Sequence, residues 1–383
     1  YMFESALQAG FISAGMDVTL LGPLPTPGVS YLANSNNQVG LVISASHNLF
    51  EDNGIKFFNK NGQKFSEELE KRIEVKLTEE MVPVDSISLG KATRMSDAQE
   101  RYIEFCKLPF TDLDLSGLNI LLDCANGATY SVAPKVFTEL GASIEAVAAS
   151  PDGININQNC GSTNPDFLKD QMSKGNYDMG IAFDGDGDRI LIISSQGTIL
   201  DGDDILFILS QKMPPNSGVV GTLMTNKALE LHFQKNNIDF QRADVGDKYV
   251  LNELVNNEWL LGGEPSGHII CLDSAPTGDA IIAALKFLDS IKEKGFSIDK
   301  SLNDFKKFPQ TLINLKVDSP NRIIMDDKFW AKVTEIETKL GNLGRVLIRP
   351  SGTEPLIRLM VESEEPSLSE NLCNSLAELA LKI

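Results

Sequence analysis

Hydrophobic positions along this chain fall into short blocks whose spacing alternates between helical and extended periods. Tyr1 to Ala14 places Leu7, Gly10, Phe11 and Ala14 on one helical face. Asp17 to Gly22 predicts a strand, and the proline cluster Pro23-Leu-Pro-Thr-Pro27 reads as a rigid non-helical loop leading into a helix before Val39. Val39 to Ile43 is apolar and β-branched, the composition of a strand buried on both faces. It delivers Ser44-Ala-Ser-His-Asn48 to the strand's C-terminal end, where open α/β sheets place ligands. Asn53 to Phe58 predicts another strand, Asn61-Gly62 a hairpin turn, and Glu67 to Glu80 a charged helix. The polar stretch from Asp85 to Asp97 offers a domain boundary.

The rhythm then repeats. Leu118 to Asp123 predicts a strand, Val132 to Leu140 a helix ended by Gly141, and Met179 to Phe183 and Ile190 to Ile193 two strands around a tight turn. From Asp201 to Lys294, helices at Asp201–Gln211, Lys227–Lys235, Lys248–Asn256 and Asp279–Lys294 alternate with strands at Val219–Leu223, Trp259–Leu261 and Ile269–Leu272. After Gln310 the order becomes strand, helix Asp326–Leu340, strands Arg345–Ile348 and Leu356–Val361, helix Leu368–Leu381. Strands without alternating crossover helices predict an antiparallel sheet there. The expected fold is three related α/β domains with mixed sheets (1–97, 98–200 and 201–311) plus a smaller C-terminal α+β domain (312–383).

A length of 383 residues is enough for several cores, and the net charge of −19 argues against nucleic-acid and anionic-membrane partners. A phosphorylated substrate would therefore need a local basic pocket. Five cysteines without a C-x-x-C spacing read as free thiols of a reducing cytoplasm, and no run approaches a membrane span.

Candidate chemistry gathers at four stretches. Ser46, between Ser44 and His47, is either a polar cap on the turn that follows or a nucleophile needing activation. Asp184, Asp186 and Asp188 alternate with glycines that let the backbone aim three carboxylates at one hard divalent cation. An EF-hand reading fails, because its sixth and twelfth positions are Arg189 and Ser195. Arg189 is placed to offset charge on a transferring phosphoryl group. Glu264, Ser266 and His268 compose a loop suited to sugar hydroxyls, with a solvated β-turn as the plain alternative. Arg349-Pro-Ser-Gly-Thr-Glu354 with Arg358 supplies the basic pocket: Ser351, Gly352 and Thr353 offer N–H and hydroxyl donors, and the arginines add planar forks.

Taken together, and in this order, the four stretches resemble the α-D-phosphohexomutases over the whole chain. The resemblance implies that Ser46 carries a phosphoryl group, and that Ser46, Asp184, Asp186 and Asp188 hold magnesium. It raises Lys56, of the N-G-x-K pattern, from an exposed strand lysine to a general acid/base requiring a lowered pKa. His47 would donate to the phosphate or serve as a tether, and Glu264 with Ser266 would read the sugar. The implied partners are a hexosamine phosphate and its bisphosphate intermediate, with a homodimer among the options for assembly. Similarity around Asp152–Asn157, Gly246–Leu251 and Leu356–Glu362 points to the glucosamine branch, although Pro265 departs from the residues usual there. A mannose or glucose phosphate mutase and a catalytically silent phosphosugar binder are the alternatives. A helix at the first residue is expected to follow a family segment, glycine-rich and arginine-containing, that this sequence lacks.

Overall fold

The computed structural model describes residues 1–214, 217–302, 305–317, 319–350 and 355–383. Two compact units are formed, Tyr1–Leu223 with Gln241–Leu302, and Met224–Phe240 with Asn303–Ile383.

The first unit opens with α1 (Met2–Ser13), β1 (Val18–Leu20), α2 (Thr26–Asn36), β2 (Gly40–Ser44), β3 (Gly54–Phe58), α3 (Glu67–Lys76) and β4 (Ala92–Arg94). Here the structure corrects three expectations. The proline cluster does not stay in loop to its end: Thr26 and Pro27 form the first turn of α2, where a missing N–H costs nothing and the fixed φ of proline favours the helix. β2 pairs antiparallel with β3, from Gly40 against Phe58 to Ser44 against Gly54, and leaves Ile43 36% exposed, so it is not buried on both faces. Within the expected first segment, the polar stretch after residue 85 also contains β4, which pairs parallel with β1. The charged helix stops at Lys76, short of Glu80.

Next come α4 (Ala98–Lys107), β5 (Asn119–Asp123), α5 (Ala133–Glu139), β6 (Ser143–Val147), α6 (Pro165–Met172), β7 (Met179–Phe183), β8 (Ile190–Ser194) and β9 (Ile199–Leu200). Their sheet has the order β6-β5-β7-β8-β9, parallel from β6 to β7 and antiparallel beyond. β7 is buried at every position, as the central strand between β5 and β8 with α6 packed against it. Leu121, Leu168, Ala182 and Ile193 form one core of this layer.

The third stretch contains α7 (Gly202–Ser210), β10 (Gly218–Thr222), α8 (Lys227–Lys235), β11 (Asp239–Ala243), α9 (Asp247–Asn257), β12 (Leu261–Gly263), β13 (Ile269–Cys271), α10 (Ala280–Ile291) and α11 (Ile298–Leu302), of which α8 belongs to the second unit. The sheet order is β11-β10-β12-β13, with β12 and β13 an antiparallel hairpin. Asp201 starts α7 through a capping box with Asp204. Asp279 caps α10 by accepting the N–H groups of Ile281 and Ile282, and also accepts the hydroxyl of Tyr102 on α4 at 2.9 Å.

In the second unit, β14 (Gln310–Lys316), α12 (Pro320–Ile324), α13 (Asp327–Leu340), β15 (Gly344–Pro350), β16 (Leu356–Ser363) and α14 (Pro366–Ala380) form an antiparallel sheet, β14-β16-β15, beside helices. Ile357, Leu359 and Val361 point to the core with Phe329, Ile336 and Leu376. On β16, buried Glu362 accepts from Arg345 Nε at 2.5 Å, from Gln310, and from the Lys227 N–H at the start of α8.

Candidate active site

β7 and β8 run antiparallel with Phe183 opposite Ile190, so residues 184–189 must turn within one loop. Gly187 takes φ +75°, and the Asp184 N–H closes the loop on the Arg189 carbonyl. Asp184 Oδ1 accepts the N–H groups of Asp188 and Arg189, both at 3.1 Å. One oxygen each of Asp184, Asp186 and Asp188 lies within 4.8 Å of the others, and all three residues are buried. Asp184 Oδ2, Asp186 Oδ1 and Asp188 Oδ1 are buried without a hydrogen-bond partner. Burial, then Asp188 and Asp186, push the Asp184 pKa up. Three convergent carboxylates with unpartnered oxygens are an all-oxygen donor set, which suits a hard divalent cation.

Neighbouring elements surround this loop. The Thr26 hydroxyl at the start of α2 donates to Asp186 Oδ2 at 2.6 Å, and its N–H donates to the Asp186 carbonyl. Lys56 on β3 reaches Asp186 Oδ2 at 2.5 Å and Asp188 Oδ2 at 3.2 Å. Burial disfavours the Lys56 ammonium, but Asp188 and Asp186 overcome that and raise its pKa, opposite to the lowering that a general base requires. Beside these carboxylates Lys56 is a counter-charge. The His47 pKa is lowered by burial and by Arg189, and its Nδ1 is buried without a partner. Arg189 Nε stands 4.0 Å from Asp188 Oδ1.

The serine loop meets the metal loop at Gly185. A Cβ on Gly185 would fall 2.6 Å from the Ser46 carbonyl oxygen and 2.7 Å from Asn157 Nδ2, so only glycine permits the approach. Asn157 Nδ2 donates to the carbonyls of Ser46 at 2.8 Å and Asn48 at 2.7 Å. Ser46 itself has φ +54°, a left-handed conformation that costs a non-glycine residue about 1 kcal/mol and occurs preferentially at functional sites. The Ser46 N–H donates to Ser44 Oγ at 2.8 Å.

The β12–β13 turn, residues 264–267, packs directly onto the other end of the metal loop. Gly267, at φ +89°, brings its carbonyl to the Ile190 N–H at 3.1 Å, and a Cβ there would lie 2.0 Å from the Ile190 carbonyl. His268 is buried, with Nδ1 3.7 Å from Asp188 Oδ1 and Nε2 3.7 Å from Asp247 Oδ2. Burial opposes its charge, but Asp188 and Asp247 prevail and raise its pKa. Asp247 in turn pairs with Lys64. Glu264 Oε1 accepts the Gly246 N–H at 3.0 Å, and Ser266 is exposed.

In the second unit, Arg349 and Arg358 stand directly opposite each other across β15 and β16, with Asn314 opposite Arg358 on β14. Like charges in that register repel, an arrangement that an anion between them would relieve. Ser351, Gly352 and Thr353 lie outside the described residues.

The structure therefore brings His47, Lys56, Arg189 and His268 to the three aspartates, and holds the Ser46 loop against the same turn. Sequence reasoning missed Thr26, Asn157, and the pair Lys64 and Asp247. Thr26 was legible as the residue before a helix-starting proline. Asn157 ends a stretch that carries the resemblance, but nothing local gave it a role, since its partners lie more than 100 residues away.

Phosphoglucomutase/phosphomannomutase family models match the chain throughout: α/β/α domain I at residues 1–82, domain II at 100–197, domain III at 201–308 and the C-terminal domain at 312–379. The phosphoglucosamine mutase of Legionella pneumophila (strain Corby) is 47% identical over 393 residues, covering 100% of this chain and 86% of that protein. That of Pseudomonas aeruginosa (strain UCBPP-PA14) is 46% identical over 389 residues, covering 100% and 87%. Among solved structures, a phosphoglucomutase/phosphomannomutase family protein from Burkholderia thailandensis superposes with TM-score 0.80 at 24% identity, covering 99% of this chain and 85% of that one. Aspergillus fumigatus N-acetylphosphoglucosamine mutase, in complex with GlcNAc-6P and magnesium, gives TM-score 0.71 at 18% identity, covering 93% and 92%. With three α/β/α domains and a C-terminal domain matched in order, the chain belongs to the phosphoglucomutase/phosphomannomutase family.

Proposed function

We propose that this chain is a phosphoglucosamine mutase, a phosphohexomutase of the isomerase class that interconverts glucosamine 6-phosphate and glucosamine 1-phosphate. Identity of 46–47% over the whole of this chain, which spans 86–87% of those phosphoglucosamine mutases, supports the substrate. The observation that carries the chemistry is the close approach of the Ser46 loop to the aspartate turn at Gly185.

In this reading phosphorylated Ser46 gives its group to the free hydroxyl of the sugar monophosphate. The P–O bond to Ser46 Oγ breaks as a P–O bond to the sugar oxygen forms, and the proton given up by the sugar hydroxyl is balanced by the one that restores the Ser46 hydroxyl. The bisphosphate turns over, and Ser46 takes back the other phosphate. Asp184, Asp186 and Asp188, with an oxygen of phosphorylated Ser46, would hold magnesium, which supplies charge neutralisation at the transferring group. Lys56 and Arg189 add fixed positive charge beside it, and His47 donates to the phosphate. Glu264 and Ser266 read sugar hydroxyls. His268, paired with Asp188, sets the loop that carries them. Arg349, Ser351, Gly352, Thr353 and Arg358 bind the substrate's non-reacting phosphate. Among the described residues no helix is long and apolar enough to cross a membrane. In this reading the enzyme works in the cytoplasm.

Coupled assays with glucosamine 6-phosphate, glucose 6-phosphate and mannose 6-phosphate test the reading. The highest kcat/KM is expected for the glucosamine ester, and a clear preference for either neutral sugar would overturn it.

A further inference from the structure

We propose that Asn157 is a positioning residue for phosphoryl transfer, a carboxamide clamp that fixes the Ser46 loop in register with the aspartate turn. This rests on the reading that Ser46 carries the phosphoryl group. Both amide hydrogens of Asn157 are committed to that loop, at 2.8 Å to the Ser46 carbonyl and 2.7 Å to the Asn48 carbonyl. They therefore grip the backbone on either side of His47. The donor is itself held: Asn157 is buried, its N–H donates to the Ala125 carbonyl at 2.8 Å, and its φ of +57° is one that asparagine tolerates. Ala125 is fixed in turn by Asp123, whose two carboxylate oxygens accept the N–H groups of Ala125 and Gly161.

The clamp answers a specific demand. Ser46 sits in a left-handed conformation that its side chain disfavours, on a loop whose tip residues Asn48, Leu49 and Phe50 are exposed. Within the loop, the Ser46 N–H to Ser44 Oγ and the Asn48 N–H to the Ala45 carbonyl fix its shape but not its place. Asn157 belongs to the stretch matched by domain II and Ser46 to that matched by domain I, so its two bonds join the phosphoryl carrier to the domain that bears the carboxylates. An in-line transfer tolerates little displacement, and a shift near 1 Å costs about 100-fold in rate. Asparagine is required chemically, since two acceptors must be met by two donors from one planar group. Aspartate has almost the same shape and would turn two attractions into repulsions.

The test compares the unaltered chain with Asn157→Ala and Asn157→Asp. Measurements are steady-state mutase kinetics, the rate of Ser46 phosphorylation by a hexose 1,6-bisphosphate followed by intact mass, and hydrogen exchange of residues 45–49. We expect kcat and the phosphorylation rate to fall about 10- to 100-fold, further for Asn157→Asp than for Asn157→Ala, with KM within a few-fold and faster exchange in the loop. Variants that melt lower yet phosphorylate Ser46 at the unaltered rate would overturn the proposal. So would unchanged loop exchange, or failure of both variants to fold, which would make Asn157 a folding residue. Absence of mutase activity in the unaltered chain would defeat the functional reading instead, while the exchange comparison still judges the clamp.

Discussion

Replacing Asp184 by asparagine should make the metal-free protein more stable while abolishing its use of metal. Asp184 is fully buried, and one of its oxygens lies within 4.8 Å of one oxygen each of Asp186 and Asp188. At that separation and an effective dielectric near 20, each like-charge pair costs about 3 kcal/mol. Lys56 neutralises part of the charge on Asp186 and Asp188, but it makes no ion pair with Asp184. The raised pKa of Asp184 also lets the unaltered protein relieve some repulsion by binding a proton. The net gain from Asp184→Asn is therefore about 1–3 kcal/mol, well below the sum of the two pairs. Asparagine keeps the Oδ1 that accepts the Asp188 and Arg189 N–H groups, so the turn survives. Thermal unfolding in chelator and in millimolar magnesium is the assay. The variant should melt a few degrees above the unaltered chain in chelator and gain nothing from magnesium, whereas the unaltered chain should be stabilised by it. A variant that melts lower in chelator, or one that magnesium stabilises as strongly, would refute the reasoning that these carboxylates are held together against their repulsion to bind a cation.

Three other perturbations reach different parts of the structure. Tyr102→Phe removes the buried hydroxyl that donates to Asp279, and should cost about 1–3 kcal/mol, read as a lower urea midpoint. Burial pushes Asp123 up to about 6 from an ordinary value of 3.8. A carboxyl whose folded pKa is raised stabilises the fold below its unfolded pKa and loses that contribution as pH rises to about 6. Stability of the unaltered chain minus that of Asp123→Asn should therefore decline across this window, and a difference that is flat or rises would contradict it. Glu362→Ala removes the fully buried carboxylate that the partly buried Arg345 pairs with, and should destabilise the second unit by up to about 3 kcal/mol, measured by denaturant unfolding.

Much of this was legible because the relevant signals are local. The Asp-Gly-Asp-Gly-Asp turn announces convergence, since glycine at alternate positions removes the side chains that would block it, and Gly185 and Gly187 do this against Ser46 and Thr129 respectively. Elements with strong periodicity and caps, such as α10 behind Asp279, could be placed to within a few residues. Two kinds of feature were not legible. Helix α4 escaped notice although Tyr102, Ile103 and Cys106 line one buried face, because its flanking polar residues read as a continuing loop. The grips on the site, Thr26 to Asp186 and Asn157 to Ser46, join residues 160 and 111 positions apart, and nothing in a linear pattern records such pairings. Lys56 shows the same limit in its electrostatics. Its place in the motif suggested a general acid/base, and the strand position alone did not show that its ammonium would lie against Asp186 and Asp188.

Peptide mapping by mass spectrometry after incubation with glucosamine 1,6-bisphosphate and magnesium measures the central claim. The account predicts a single phosphate, on the peptide containing Ser46, that is lost again when glucosamine 6-phosphate is added. Phosphate found on another residue, or none at Ser46 under conditions where the protein turns over substrate, would contradict it.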